Sequence, residues 1–157
     1  MQIICNASPL IFLAKIDLIH RLPAIAGNLR IPQGVYYEIK GKNDAASEWV
    51  EENKNKYVIE VVSVPKIIEL WDLGKGETEV IAHAYSNKDI KAALDDRAAR
   101  NCAASVGVNV IGTIGLILMA NKEGHIEEPV KYLEKLKKTG FRISDDLYQH
   151  AIYLAGS

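Results

Sequence analysis

The sequence predicts an α/β fold in which a mostly parallel sheet is covered on both faces by helices. Short apolar runs that stop at polar or turn residues, "QIIC", "LRIP", "IKAAL" and "VNVIG", recur along the chain. Between them lie longer segments with helical spacing, and this alternation is the pattern of a parallel sheet with helical connections. No repeat, low-complexity segment or linker interrupts it, so residues 1–157 are expected to form a single domain.

Each element has a local reason. "QIIC" is a short apolar run ended by Asn6, and "SPLIFLAK" follows as a helix with Ser8 as N-cap and Pro9 at the first helical position. "LIHRLPAIAG" is expected to be helical around Pro23. "LRIP" closes on Pro32, which favours an extended approach and makes it the second strand. "QGVYYEIK" reads as a short helix carrying Glu38, and "DAASEWVEENK" places Ala45 and Trp49 at helical intervals. "YVIEVVSV" is rich in β-branched residues and reads as a further strand at an edge. "PKIIELWDLGKG" is a short helix closed by Gly74 or Gly76, and "ETEVIAHAYSNK" a helix opened by acidic residues. "IKAAL" runs as a strand into Asp95 and Asp96, "DDRAARNCAASVG" is a helix stopped at Gly107, and "VNVIG" is another strand. "TIGLILMANKEG", "EEPVKYLEKLKKTG" and "SDDLYQHAIYLAG" close the chain as three helices, each with a cap-like start and a glycine stop.

Bulk composition is that of an ordinary soluble globular protein, 48% apolar and 25% charged. A net charge of -1 supplies no global attraction to phosphate, so a nucleic-acid partner would need a local patch or a bound cation. Cys5 and Cys102 lie in apolar or helical surroundings without ligand spacing and read as buried, reduced thiols. The N-terminus lacks the basic start and small-residue cleavage site of a signal peptide. Lys15 and Asp17 break its apolar run short of a membrane span, so a cytoplasmic protein without membrane contact is expected.

Ligands of open parallel sheets bind outside the carboxyl ends of the strands. Asn6 ends the first strand, and Asp95 and Asp96 end the "IKAAL" strand. Glu38 sits on the helix after the second strand, and Glu77 opens the helix before "IKAAL". Each has an ordinary explanation: Asp95, Asp96 and Glu77 suit a helix start, Glu38 a solvated helix face, Asn6 an Asx turn. Their convergence from four distant segments is the unusual feature, because confined carboxylates repel and call for a cation. Oxygen ligands without cysteine or histidine suit Mg²⁺ or Mn²⁺, ions that polarise phosphate and orient or activate a water.

Together, "CNASPLIFLAKI", "IPQGVYYEIK", "LGKGETEVIAHA", "LDDRAAR", "VIGTIGLILMA" and "GFRISDDLYQHAI" resemble the PIN-like proteins of the DUF3368 group, relatives of the VapC-type toxin ribonucleases. The resemblance covers nearly the whole chain. It implies a three-layer, Rossmann-like PIN fold with a central, mostly parallel sheet of four to five strands, and a ring of acids that holds Mg²⁺ or Mn²⁺ to cut single-stranded RNA. Carried over by position, Asn6 stands where the family has an aspartate, Glu38 and Glu77 match its two helix acids, and the last place falls on Asp95 or Asp96. Asp96 is the favoured ligand there, with Asp95 as cap or supporting acceptor; Ser8 matches the hydroxyl that follows the first acid. An amide at position 6 can offer an oxygen but no charge, which lowers the expected metal affinity.

Other residues carry weaker signals. His20, His83, His125 and His150 show no ligand spacing, and "GKGE" lacks the spacing of a phosphate-binding loop. Arg97, Arg100 and Lys75 are candidate phosphate contacts, with solvated helix faces as the equal alternative. "EEPVKYLEKLKKTG" aligns Val130, Leu133 and Leu136 on one face opposite a basic side, most simply a surface helix packed on the core; with "LYQHAIYLAG" it could also form the homodimer contact that the resemblance to PIN-like proteins implies. The leading expectation is a Mg²⁺- or Mn²⁺-dependent endoribonuclease in which Glu38, Glu77 and Asp96 are catalytic, with a toxin role beside a small antitoxin protein as the setting that the resemblance implies. A non-catalytic or weakened nucleic-acid-binding or regulatory protein is the alternative that Asn6 suggests, and a phosphatase or other metal hydrolase is the third.

Overall fold

The computed structural model of the chain describes residues 1–156. Its sheet has five strands, all parallel: β1 (Gln2–Cys5), β2 (Asn28–Pro32), β3 (Val58–Ile59), β4 (Ile90–Ala93) and β5 (Val110–Ile111). They lie in the order β3-β2-β1-β4-β5. Chain order therefore reverses between β1 and β4, and the crevice where ligands of such sheets bind lies outside their carboxyl ends. Cys5 is in register with Ala93, so Asn6 and the residues that follow β4 leave the sheet side by side.

Helices flank the sheet: α1 (Ala7–Lys15), α2 (Leu22–Ala26), α3 (Gln33–Ile39), α4 (Ala45–Tyr57), α5 (Lys66–Glu69), α6 (Lys75–Ser86), α7 (Arg97–Ser105), α8 (Thr113–Lys122), α9 (Pro129–Lys138) and α10 (Asp145–Ala155). The central strands are apolar almost throughout because both faces are covered. Ile3, Ile4, Cys5, Ala92 and Ala93 are fully buried and join Leu10, Leu13, Val80, Ile81 and Leu116 from the helices in one core. Cys5 and Cys102 are buried and unpaired, as their surroundings predict. Among the described residues no helix is long and apolar enough to cross a membrane.

Four local expectations need correction. First, α1 begins at Ala7 with Asn6 in the cap position, not at Pro9 with Ser8 as cap. The chain enters the helix directly from β1, and the Ser8 hydroxyl is used elsewhere. Second, of "YVIEVVSV" only Val58 and Ile59 pair. They sit beside Ile31 and Pro32, and because β2 ends at Pro32, Glu60 onward has no strand to join. Third, the glycines of "LGKG" do not close α5, which stops at Glu69; Gly74 is the cap position of α6, and Gly76 lies inside its first turn. Fourth, the cap of α7 is Asp96, whose Oδ2 accepts from the Ala99 N–H at 3.0 Å; Asp95 is not the cap of that helix.

Candidate active site

The carboxyl ends of β1 and β4, with the helices beside them, bring the predicted oxygen ligands to one cleft of about 610 Å³. Its lining includes Asn6, Ser8, Glu38, Glu77, Asp95 and Asp96. Each side chain arrives from a different element. Asn6 ends β1 with its backbone N–H bonded to the Ala93 carbonyl at 3.2 Å. Glu38 is carried by the last turn of α3 and is exposed, while Glu77 is the third residue of α6 and half-buried.

The helix starts of α3 and α6 approach closely because both carry glycine there. A Cβ on Gly76 would lie 3.0 Å from Val35 Cγ2 and 3.5 Å from Asn6 Oδ1, and one on Gly34 would lie 2.7 Å from Glu79 Oε1. Glu79 is buried and accepts the Gly34 N–H at 2.7 Å. That bond satisfies one of the orphan donors at the start of α3 and ties the helix of Glu38 to the helix of Glu77. Glu79 carries no sequence signal that separates it from the other acids of α6.

The two aspartates divide their work. Both oxygens of Asp95 accept hydrogen bonds: Oδ1 from the Thr113 N–H at 2.8 Å, Oδ2 from the Thr113 hydroxyl at 2.6 Å and the Ser8 hydroxyl at 2.9 Å. Asp95 thus joins the end of β4 to the first turns of α1 and α8. Gly112 permits this, since a Cβ there would stand 3.2 Å from Asp95 Oδ1 and 3.0 Å from Arg100 Nη1. Asp96 is exposed beyond its cap bond and acts on Glu77. Burial first, then the negative charges of Asp96 and Glu38, push the Glu77 carboxyl above its ordinary range.

Two oxygens in this cleft are buried without a hydrogen-bond partner, Asn6 Oδ1 and Glu77 Oε2. Buried polar atoms are nearly always satisfied, so a pair of orphans beside mutually repelling carboxylates fits a cation held by oxygen ligands. Among the described residues no three Asp, Glu, His or Cys groups converge closely enough to enclose a metal ion. Glu38 and Asp96 are exposed at the cleft, so an ion held there would keep several of its waters. Cys5, next to Asn6, takes no part: burial, aided by the Asp95 charge, drives its thiol far above the range in which it could ionise.

Of the cationic candidates, Arg97 and Arg100 line a second, larger cleft that adjoins the first. Lys75 lines neither; its side-chain stem lies over Gly34. Sequence reasoning missed Thr113 and the loop between α9 and α10. Phe141 of that loop packs edge-on against Phe12 with ring centroids 5.0 Å apart, and Arg142 lines both clefts. Only the long-range packing of α8 and of that loop makes them site residues. The sequence model of the DUF3368 family, described as a PIN domain, matches residues 2–157. No curated protein and no solved structure matches the chain.

Proposed function

Because this chain belongs to the DUF3368 family of PIN domains, a group whose fold is associated with nucleases, we propose that it is a metal-dependent endoribonuclease acting on single-stranded RNA as a single domain. The observation that carries the reading is the pair of unpartnered buried oxygens, Asn6 Oδ1 and Glu77 Oε2, in a cleft rimmed by Glu38 and Asp96. These four residues would hold Mg²⁺ or Mn²⁺. When bound, such an ion stabilises charge on the phosphate and makes water a better nucleophile at neutral pH. Glu77 and Glu38 supply anionic oxygens, Asn6 a neutral one, and Asp96 one oxygen while the other caps α7. Asp95, with both oxygens engaged, holds Ser8 and Thr113 and so keeps the cleft wall in place.

The test is cleavage of labelled single-stranded RNA with Mg²⁺ or Mn²⁺. Wild type should cut, while Glu77→Ala and Asp96→Ala should lose cleavage with the fold retained by circular dichroism. Equal cleavage by all three proteins, or none by wild type with either ion, rejects the proposal. Single-stranded DNA and small phosphate esters in the same panel separate it from a phosphatase.

Asn6 favours a second reading, a weakened or non-catalytic nucleic-acid-binding protein. Asn6→Asp decides between them: a gain of Mn²⁺ affinity together with new nuclease activity marks the natural site as weakened. A toxin role, in the manner of VapC-type ribonucleases and in the cytoplasm, would be supported by a neighbouring reading frame for a small antitoxin.

A further inference from the structure

The cleft beside the acid site is the larger of the two, about 1190 Å³, and the two share Asp95, Gly140, Phe141 and Arg142 in their linings. Three arginines line it: Arg97 and Arg100 from α7, and Arg142 from the loop before α10. Among the described residues none of the three is ion-paired. Asp95 is the only acid in the lining, and its oxygens are already taken by Ser8 and Thr113. Arg100 is steadied by donating to the Leu94 carbonyl at 3.1 Å, which leaves most of its five donors to other partners. In a chain of net charge -1 this is a local concentration of positive charge.

Apart from Asn101, Ser144 and three glycines, the remainder of the lining is apolar. Ile111, Ile114 and Leu118 are half-buried, and Leu147 is 52% exposed, a large apolar side chain open to solvent at the cleft. Guanidinium groups and apolar side chains lining one cleft match a polymer with an anion at every repeat and a flat apolar face on every unit. Single-stranded nucleic acid has that chemistry, because phosphates pair with arginine and unpaired bases lie on apolar or aromatic side chains. A duplex conceals its base faces and leaves such apolar side chains unused.

We propose that this cleft is the track for the single strand on one side of the cut, with Arg97, Arg100 and Arg142 on its phosphates and Leu147 and Phe141 beneath its bases. Its role beside a cut rests on the nuclease reading; its capacity to bind does not. The strand would pass from the acids to the arginines across Arg142.

The experiment is fluorescence anisotropy of a labelled single-stranded RNA oligonucleotide with the full chain in EDTA, where no cleavage can occur. Arg97→Ala/Arg142→Ala changes two exposed side chains and leaves the Arg100 bond intact. The double variant should bind about 10- to 100-fold more weakly. Its slope of log K against log salt should be shallower by about 1.4, two phosphates at about 0.7 each for a single strand. Leu147→Asp should also weaken binding, and duplex RNA of the same sequence should compete poorly.

Unchanged affinity and salt slope in the double variant overturn the proposal. So does equal binding of duplex and single strand, or tighter arginine-dependent binding of a glutamate-rich peptide, which would assign the track to an acidic protein segment. Arginine-dependent binding by a protein that never cleaves leaves the track standing and removes the nuclease reading. Cleavage that requires Glu77, with binding indifferent to Arg97 and Arg142, does the reverse.

Discussion

Replacing Asp95 by alanine should destabilise the protein well before any question of catalysis arises. Thr113 is fully buried, and both its N–H and its hydroxyl are spent on Asp95, at 2.8 and 2.6 Å. Asp95→Ala strands those two donors. An unsatisfied buried donor costs about 1–3 kcal/mol, and the hydroxyl can turn to recover part of its share, so the sum is about 3 kcal/mol. The Ser8 bond is less buried and adds little. For a chain of this size that corresponds to a fall in Tm of about 6–12 °C.

Asp95→Asn is the control that separates geometry from charge. The amide oxygen still accepts the Thr113 N–H, and the amide NH2 can donate to the Thr113 and Ser8 hydroxyls, which accept as readily as they donate. Its cost should stay below about 1 kcal/mol. Urea denaturation in chelator, with midpoint and slope both fitted, reads the two variants against wild type. An alanine variant within about 0.5 kcal/mol of wild type, or an asparagine variant as unstable as the alanine one, would refute the view of Asp95 as a junction of β4, α1 and α8.

Three further outcomes follow from the same site. Glu77 is pushed up by burial and then by Asp96 and Glu38, so the folded protein holds its proton more tightly than the unfolded chain. The stability this confers is present below its ordinary value of 4.5 and is lost as pH rises through the raised one. In chelator, Glu77→Gln should therefore gain stability relative to wild type as pH rises above the ordinary value of 4.5, and saturating Mn²⁺ should remove that gain; a pH-independent difference contradicts it. Gly34→Ala places a Cβ 2.7 Å from Glu79 Oε1 and should cost about 1–3 kcal/mol in a thermal melt. Glu79→Gln keeps an acceptor for the Gly34 N–H and should be milder than Glu79→Ala.

Much of this site was legible because the signals were local. A short apolar run stopped by a polar residue marks the end of a buried strand, and that alone located Asn6 and the Asp95–Asp96 pair. The helix beginning after Pro32 located Glu38, and the acid in the first turn of α6 located Glu77. Propensity failed where pairing decides. "YVIEVVSV" has the residues of a strand, yet a strand extends only as far as its neighbour, and β2 turns into α3 at Pro32. Ser8 suits a cap, but its hydroxyl meets Asp95, 87 residues away.

The alternation of strands and helices, the apolar interior and the acids at the strand ends can be read from the chain alone, because these depend on side-chain periodicity and on residues adjacent in the chain. The rest follows from contacts between distant segments. The strand order β3-β2-β1-β4-β5 makes neighbours of β1 and β4 and so brings Asn6 beside Asp95 and Asp96. The packing of α8 assigns Asp95 to Thr113, and the cap of α7 claims one oxygen of Asp96. The loop between α9 and α10 sets Arg142 between the two clefts. These are relations between residues far apart in the chain, and no periodicity encodes them; they exist only once the sheet has chosen its order and the helices their faces.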